Sequence, residues 1–172
     1  MRAEHEADYR DYVVARADRM RRFAYLCCGD WHRAEDAVQT AFVKLYGAWS
    51  RASKSSLDAY TRRILVNTLT DEHRRAWFQR ERASRTLPER SVSDQSDASV
   101  RRLDVMNALS RLPKRQRASV VLRYWEDLPV EQTAQIMRCS TGTVKSQTAK
   151  GLQTLRGLLT DSIPERIEGV SS

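Results

Sequence analysis

Between residues 34 and 49, apolar side chains fall at Ala34, Ala37, Val38, Ala41, Phe42, Leu45, Tyr46 and Trp49, in alternating steps of three and four. Only an α-helix gathers such a set into one narrow stripe, and a narrow apolar stripe must be covered by a second helix. The same constraint recurs along the chain. No segment carries the period-two alternation of a half-buried strand or the Asn-Gly and Asp-Gly turns of hairpins. The expected fold class is all-α, as two small helical domains joined by a flexible linker.

Local signals divide the first domain into three helices. A first helix is expected from about Tyr9 to Cys28, with Val13, Ala17, Met20 and Ala24 on one face and Gly29 as its stop. Asp30 is placed to cap the second helix, whose exposed side carries Asp36, Gln39 and Lys44. A polar loop, SRASKSS, follows, and Ser55-Ser-Leu-Asp58 reads as a capping box that opens a third helix running to about Arg82. The stretch from Ala83 to Ser99 holds Pro88, five serines and few large apolar residues, so it is expected to be an extended or mobile boundary. Beyond it Leu103, Met106, Leu109 and Leu112 mark a short helix stopped by Pro113, and Val120, Val121, Tyr124 and Trp125 mark another.

Charge narrows the function. The 172 residues carry a net charge of +8, but unevenly. Residues 1–50 hold eight basic against eight acidic side chains, residues 51–90 ten against five, and residues 111–160 nine against three. Two basic blocks separated by a near-neutral, serine-rich stretch suit two contacts with nucleic acid joined by a linker. No apolar run approaches bilayer-spanning length and the start, MRAEHEADYRDY, is polar, so the chain is expected to be cytoplasmic with no membrane insertion. Cys27, Cys28 and Cys139 lack the spacing of a zinc site and read as reduced thiols. His5, His32 and His73 are scattered and no Gly-rich phosphate loop is present, so neither a catalytic residue, a metal nor a cofactor is expected.

The second basic block contains the most specific pattern. Pro129 to Met137 forms a short helix with small Ala134 on its inner face, Arg138-Cys139-Ser140 makes a turn, and Ser140 caps a longer helix that turns Val144 inward. This is the layout of a helix-turn-helix. Thr143, Lys145, Ser146, Gln147 and Lys150 then face outward and offer hydroxyls, an amide and cations to phosphates and major-groove base edges.

With these residues on the page, the chain resembles the extracytoplasmic-function group of bacterial RNA polymerase sigma factors, in its small actinobacterial type. Leu109 to Arg156 resembles that family's C-terminal domain, which reads the minus-thirty-five promoter element. Ala34 to Trp49 and Asp58 to Arg82 resemble its N-terminal domain. The resemblance implies an alternative sigma factor, not an enzyme, that binds core RNA polymerase and directs initiation at promoters. It divides the chain into residues 1–82 for polymerase and the minus-ten element, a linker at 83–99, residues 100–160 for the minus-thirty-five element, and a tail at 161–172.

By the same resemblance, Asp36, Gln39, Phe42 and Lys44 dock on the coiled coil of the largest polymerase subunit, and the C-terminal domain meets the flap region. Arg51, Ser53, Lys54 and Ser55 of the loop, with Arg62, Arg63, Asn67, Arg74 and Arg75 of the third helix, handle the minus-ten element. Arg115 and Arg123 join Thr143, Lys145, Ser146, Gln147 and Lys150 at the minus-thirty-five element. An anti-sigma protein is a further partner that many relatives have.

The chain also departs from the family pattern. Arg138 stands where Gly is common, so the turn either avoids a left-handed conformation or bears strain. Pro129 replaces a Ser or Thr cap, Gln147 and Thr148 replace an Arg and a bulky apolar residue, and Gly151 is expected to weaken the recognition helix by roughly 1 kcal/mol relative to Ala. Two other readings remain. A free-standing dimeric helix-turn-helix repressor or activator would need a long apolar dimerisation helix, which is not seen after Thr160. An RNA-processing or nucleotide-modifying enzyme would need an active site.

Overall fold

The computed structural model describes residues 2–54, 56–71 and 97–161. Among them every regular element is helical. The first helix, α1, spans Ala3–Cys28, longer at its start than the apolar pattern suggests, and ends where Gly29 adopts φ 72° and donates its N–H to the Tyr25 carbonyl. Asp30 caps α2, Trp31–Gly47, by accepting from the backbone N–H groups of His32 and Arg33.

The stripe on α2 does what its spacing requires: Ala34, Ala37, Val38, Ala41, Phe42 and Leu45 are buried against α1 and a later helix of the first half. Leu45 is fully enclosed, a position where truncation to Ala costs about 2–5 kcal/mol. Tyr46 departs from that expectation and stays exposed, its ring meeting Tyr9 edge-on with centroids 5.1 Å apart. Trp49 is buried, but on a separate one-turn helix, α3, Trp49–Ala52.

The expected polar loop is therefore partly helical, and buried Ala52 pins it to the core. The cap of the next helix lies one residue later than the capping-box reading placed it. Ser56 accepts from the Ala59 N–H at 3.2 Å and opens α4, Leu57–Thr70. This helix stops at Thr70, where Asp71 turns to extended backbone, short of the expected Arg82. Tyr12 ties α1 to α4 through its hydroxyl, which donates to Asp58 at 2.8 Å and lies 3.1 Å from the Thr61 hydroxyl. Burial, more than the neighbouring Asp58, holds the Tyr12 phenol well above its ordinary range.

The linker expected at 83–99 lies outside the described residues except for its last three, which belong to α5, Asp97–Ser110. Pro113 then precedes α6, Lys114–Val120, which runs directly into a π-helical turn at Val121–Trp125. Val120 and Val121 are fully buried, but Tyr124 and Trp125 remain exposed because the π turn rotates them away from the face the 3.6 period assigned to them. The helix-turn-helix closes the order with α7, Val130–Met137, and α8, Thr141–Asp161.

The two halves share a core. Ala118, Val121, Leu122, Ile136 and Met137 from the C-terminal helices join Met20, Phe23, Leu45, Leu65 and Leu69 from the N-terminal ones in a single apolar cluster. Helix α4 packs on α7, and α1 packs on α6. A second cluster of Ala108, Leu109, Leu112, Val120 and Leu155 holds α5 to α8. No helix among the described residues is long and apolar enough to cross a membrane.

Candidate nucleic-acid interface

The helix-turn-helix forms as its sequence requires. Ser140 accepts the Thr143 N–H at 3.0 Å and so satisfies one of the free donors that open α8. Val144 is fully buried against α7, which fixes the rotation of α8 about its axis. That rotation leaves Lys145, Ser146 and Lys150 exposed and Thr143 and Gln147 half-exposed along one side of the first turns. Two cations, two hydroxyls and an amide are thus presented together by a rigid helix, the chemistry that a major groove and its flanking phosphates accept.

Four departures from the family pattern find physical explanations. Arg138 adopts φ 53°, ψ 50°, so the turn does take the left-handed conformation and bears its strain. Thr148 is buried, and its hydroxyl lies 2.6 Å from that of Ser119, a polar pair between α8 and α6 in place of an apolar contact. Gly151 is a packing requirement rather than a weakness, because a Cβ there would stand 2.7 Å from Cγ2 of Val120. Pro129 occupies the cap position with extended backbone, and its carbonyl accepts both the backbone N–H and the hydroxyl of Thr133 at 3.0 Å.

Arg115 and Arg123 bind backbone at the two ends of α7. Arg115 donates to the Met137 carbonyl at 2.9 Å, at the end of α7, and Arg123 donates to the Leu128 carbonyl at 2.5 Å. Both are half-buried, and each commits one edge of its guanidinium to bracing the motif.

The candidate minus-ten residues separate. Arg51, Ser53 and Lys54 are exposed around the end of α3, and Asn67 is exposed on α4. Arg63 is half-buried. Arg62, by contrast, is only 5% exposed and donates to Glu126, which follows the π turn. Its expected exposure to phosphate fails in this arrangement because α4 packs its Arg62 face against the C-terminal helices. Ser55, Arg74 and Arg75 lie outside the described residues.

On α2, Asp36, Gln39 and Lys44 form an exposed polar face, with exposed Val43 beside Lys44. Phe42 does not belong to that face. It is buried, its ring 6.5 Å from that of Tyr12 and its carbonyl accepting the Tyr9 hydroxyl at 2.8 Å. Sequence reasoning missed Glu126, Arg19 and Arg117. Arg19 lies 3.5 Å from Glu126, and Arg117 donates to the Leu26 carbonyl at 2.6 Å across 91 residues. No local signal marks such contacts.

Comparison with known proteins supplies the family. A model described as Sigma-70 region 2 matches residues 13–79, and one described as Sigma-70, region 4 matches residues 102–155. The chain is 39% identical over 150 residues to the RNA polymerase sigma-E factor of Streptomyces avermitilis, covering 87% of this chain and 83% of that one. It is 32% identical over 144 residues to the ECF RNA polymerase sigma factor SigM of Mycobacterium tuberculosis, covering 81% and 71%. Its fold is similar to that of the sigma factor RpoE from Bartonella quintana, solved in complex with the anti-sigma factor NepR, with a TM-score of 0.72, 24% identity, and coverage of 89% of this chain and 97% of that one.

Proposed function

The chain belongs to the extracytoplasmic-function group of the sigma-70 family of RNA polymerase sigma factors, and from that premise we propose how its surfaces divide the work. It is an alternative sigma factor that binds core RNA polymerase and directs initiation to particular promoters. The observation that carries this reading is the order of the two regions along one chain, with the second ending in a helix whose exposed side is polar and cationic while Val144 is buried. The free-standing repressor reading gives way to it, since a repressor has no use for the first region.

In this proposal residues 1–82 bind polymerase and open the minus-ten element, residues 83–99 link, residues 100–160 read the minus-thirty-five element, and residues 161–172 form a tail. Lys145 and Lys150 hold phosphates. Thr143, Ser146 and Gln147 reach base edges, and Arg115 and Arg123 offer their remaining N–H groups to the backbone while bracing the motif. Arg51, Ser53, Lys54 and Asn67 receive the minus-ten strand, joined on sequence grounds by Ser55, Arg63, Arg74 and Arg75. Arg62 joins them once released from Glu126. Asp36, Gln39 and Lys44 dock on the polymerase coiled coil, with Phe42 supporting them from beneath, and the C-terminal domain meets the flap.

The chain acts as a non-enzymatic subunit in the cytoplasm, without a cofactor. An anti-sigma protein is a further proposed partner, supported by the complex in which the Bartonella relative was solved. The test is to mix the protein with bacterial core polymerase and a genomic promoter pool and to sequence the transcripts that depend on it. Specific starts are expected. Reversing charge at Asp36 and Lys44 together should abolish core binding with the fold intact, and unchanged core affinity would remove the docking assignment.

A further inference from the structure

We propose that the buried hydroxyl pair of Ser119 and Thr148 is a positioning device for promoter choice: it fixes the register and rotation of the recognition helix α8 on α6, so two residues enclosed between helices help decide which minus-thirty-five sequence is read. This role presupposes the sigma-factor reading above. The contact is a polar pair in a place where helices ordinarily meet through apolar side chains. Ser119 and Thr148 are 0% and 8% exposed, and their hydroxyl oxygens lie 2.6 Å apart.

Each hydroxyl has one proton to give, and both protons have a place to go. The Ser119 hydroxyl donates to the Val144 carbonyl at 3.4 Å, which leaves the Thr148 hydroxyl to donate to Ser119. The result is a two-bond relay from Thr148 through Ser119 to Val144, joining α6 to two successive turns of α8. An apolar contact limits how near two helices come, but it lets one slide or roll on the other at little cost. Hydrogen bonds do not, because they weaken steeply once distance and angle leave a narrow range. Either hydroxyl left unpaired in this enclosed place would be costly, so the pair selects one seating of α8 over its neighbours.

The seating is tight one turn further on. At Gly151 an added Cβ would stand 2.7 Å from Cγ2 of Val120 and 3.4 Å from the Gln116 carbonyl oxygen. With no side chain at 151, α8 lies close on α6, and Val144, Thr148 and Gly151, four and three residues apart, share the face it rests on. The residues proposed to meet DNA lie directly beside that face. Lys145 follows Val144, Gln147 precedes Thr148, and Lys150 precedes Gly151. All belong to one continuous helix, so any change in seating passes to them without an intervening joint.

Small rotations are enough to matter. Side-chain ends lie roughly 5–6 Å from a helix axis, so a rotation of about 10° moves them about 1 Å. The useful range of an N–H···O distance is only about 0.5 Å wide, from ~2.7 to ~3.2 Å. A roll that leaves the fold intact thus carries the Gln147 amide from within reach of a base edge to outside it. Lys145 and Lys150 are affected less, because the attraction of a cation for a phosphate falls off slowly with distance. The pair therefore acts on sequence choice more than on affinity for DNA in general.

The test uses holoenzyme formed from the full chain and bacterial core polymerase. A promoter that the wild type selects from a genomic pool is randomised at its minus-thirty-five element alone, and transcripts are sequenced to give the base preference at each position. The decisive variant combines Ser119→Ala with Thr148→Val, which removes both hydroxyls, keeps the shape of the contact and leaves neither partner buried and unpaired. Its urea midpoint should stay close to wild type, while preference at one or more positions changes by at least roughly fivefold, the lower end of what a base contact supplies. The salt slope of promoter binding should be unchanged, since the phosphate contacts are kept. Thr148→Ser, which retains the hydroxyl, should keep the wild-type preference. If the double variant does not fold, Thr148→Val alone is read in the same way. Unchanged preference in a folded variant lacking the pair, an equal loss on every sequence, or a Thr148→Ser variant that shifts preference as far as the double variant would each overturn the positioning role. Failure of the wild-type holoenzyme to start specific transcripts from the pool would instead overturn the sigma-factor reading, and this role with it.

Discussion

Gly151 shows how a residue can mislead when it is read from propensity alone. In a helix interior Gly costs about 1 kcal/mol against Ala, so Gly151→Ala should stabilise by that scale. The 2.7 Å approach of an added Cβ to Val120 reverses the sign, and the substitution is expected to destabilise by about 1–3 kcal/mol in urea titration. Arg138 is the opposite case. Its left-handed φ of 53° suits glycine, and Arg138→Gly should raise stability by roughly 0.5–1 kcal/mol after the greater freedom of glycine in the unfolded chain is counted. A lowered urea midpoint would mean that the Arg138 side chain contributes more than its backbone costs. The caps at Asp30 and Ser140 were legible because a cap acts on neighbours two or three residues away. The exchange of roles between buried Phe42 and exposed Tyr46 was not, because both lie on the same side of α2 and only the packing of α1 chooses between them.

Among the elements, α8 carries the DNA-reading claim, and its stability and its chemistry can be tested separately. Ser140→Ala removes the acceptor for the Thr143 N–H and should cost about 1 kcal/mol, together with weaker promoter binding as the first turn frays. Lys145→Ala and Lys150→Ala should each weaken binding on every sequence and lower the salt slope of log affinity by about 1. Gln147→Ala should instead relax sequence choice, and an equal loss on all DNA sequences would contradict a base-reading role. Helix existence along the chain was legible in the three-and-four spacing. Helix ends were less so: α4 stops at Thr70, and the π turn at Val121–Trp125 breaks a register that the apolar pattern treats as continuous.

At the scale of the whole molecule, Cys27 and Cys28 at the end of α1 report on the integrity of the shared core. Both pack against it, and burial is the main cause holding each thiol above its ordinary range. The sign of the linkage follows from that direction. As pH rises past the unfolded thiol value of about 8.5, the unfolded chain loses its proton first, so stability is complete below that pH and declines above it. The urea midpoint should fall between pH 8 and pH 9.5, and Cys27→Ala should remove a slope of up to about 1.4 kcal/mol per pH unit. A slope unchanged by that substitution would show that Cys27 stays protonated in both states. The sequence by itself determined the all-helical class, the caps at Asp30 and Ser140 and the helix-turn-helix, since each depends on residues within one or two turns of one another. Only the tertiary structure decided that Arg62 meets Glu126 instead of solvent, that Arg117 reaches Leu26, and that one core serves both halves. Those contacts join residues 64 and 91 positions apart, and at such separations the partner is selected by how whole helices pack, which no local pattern encodes.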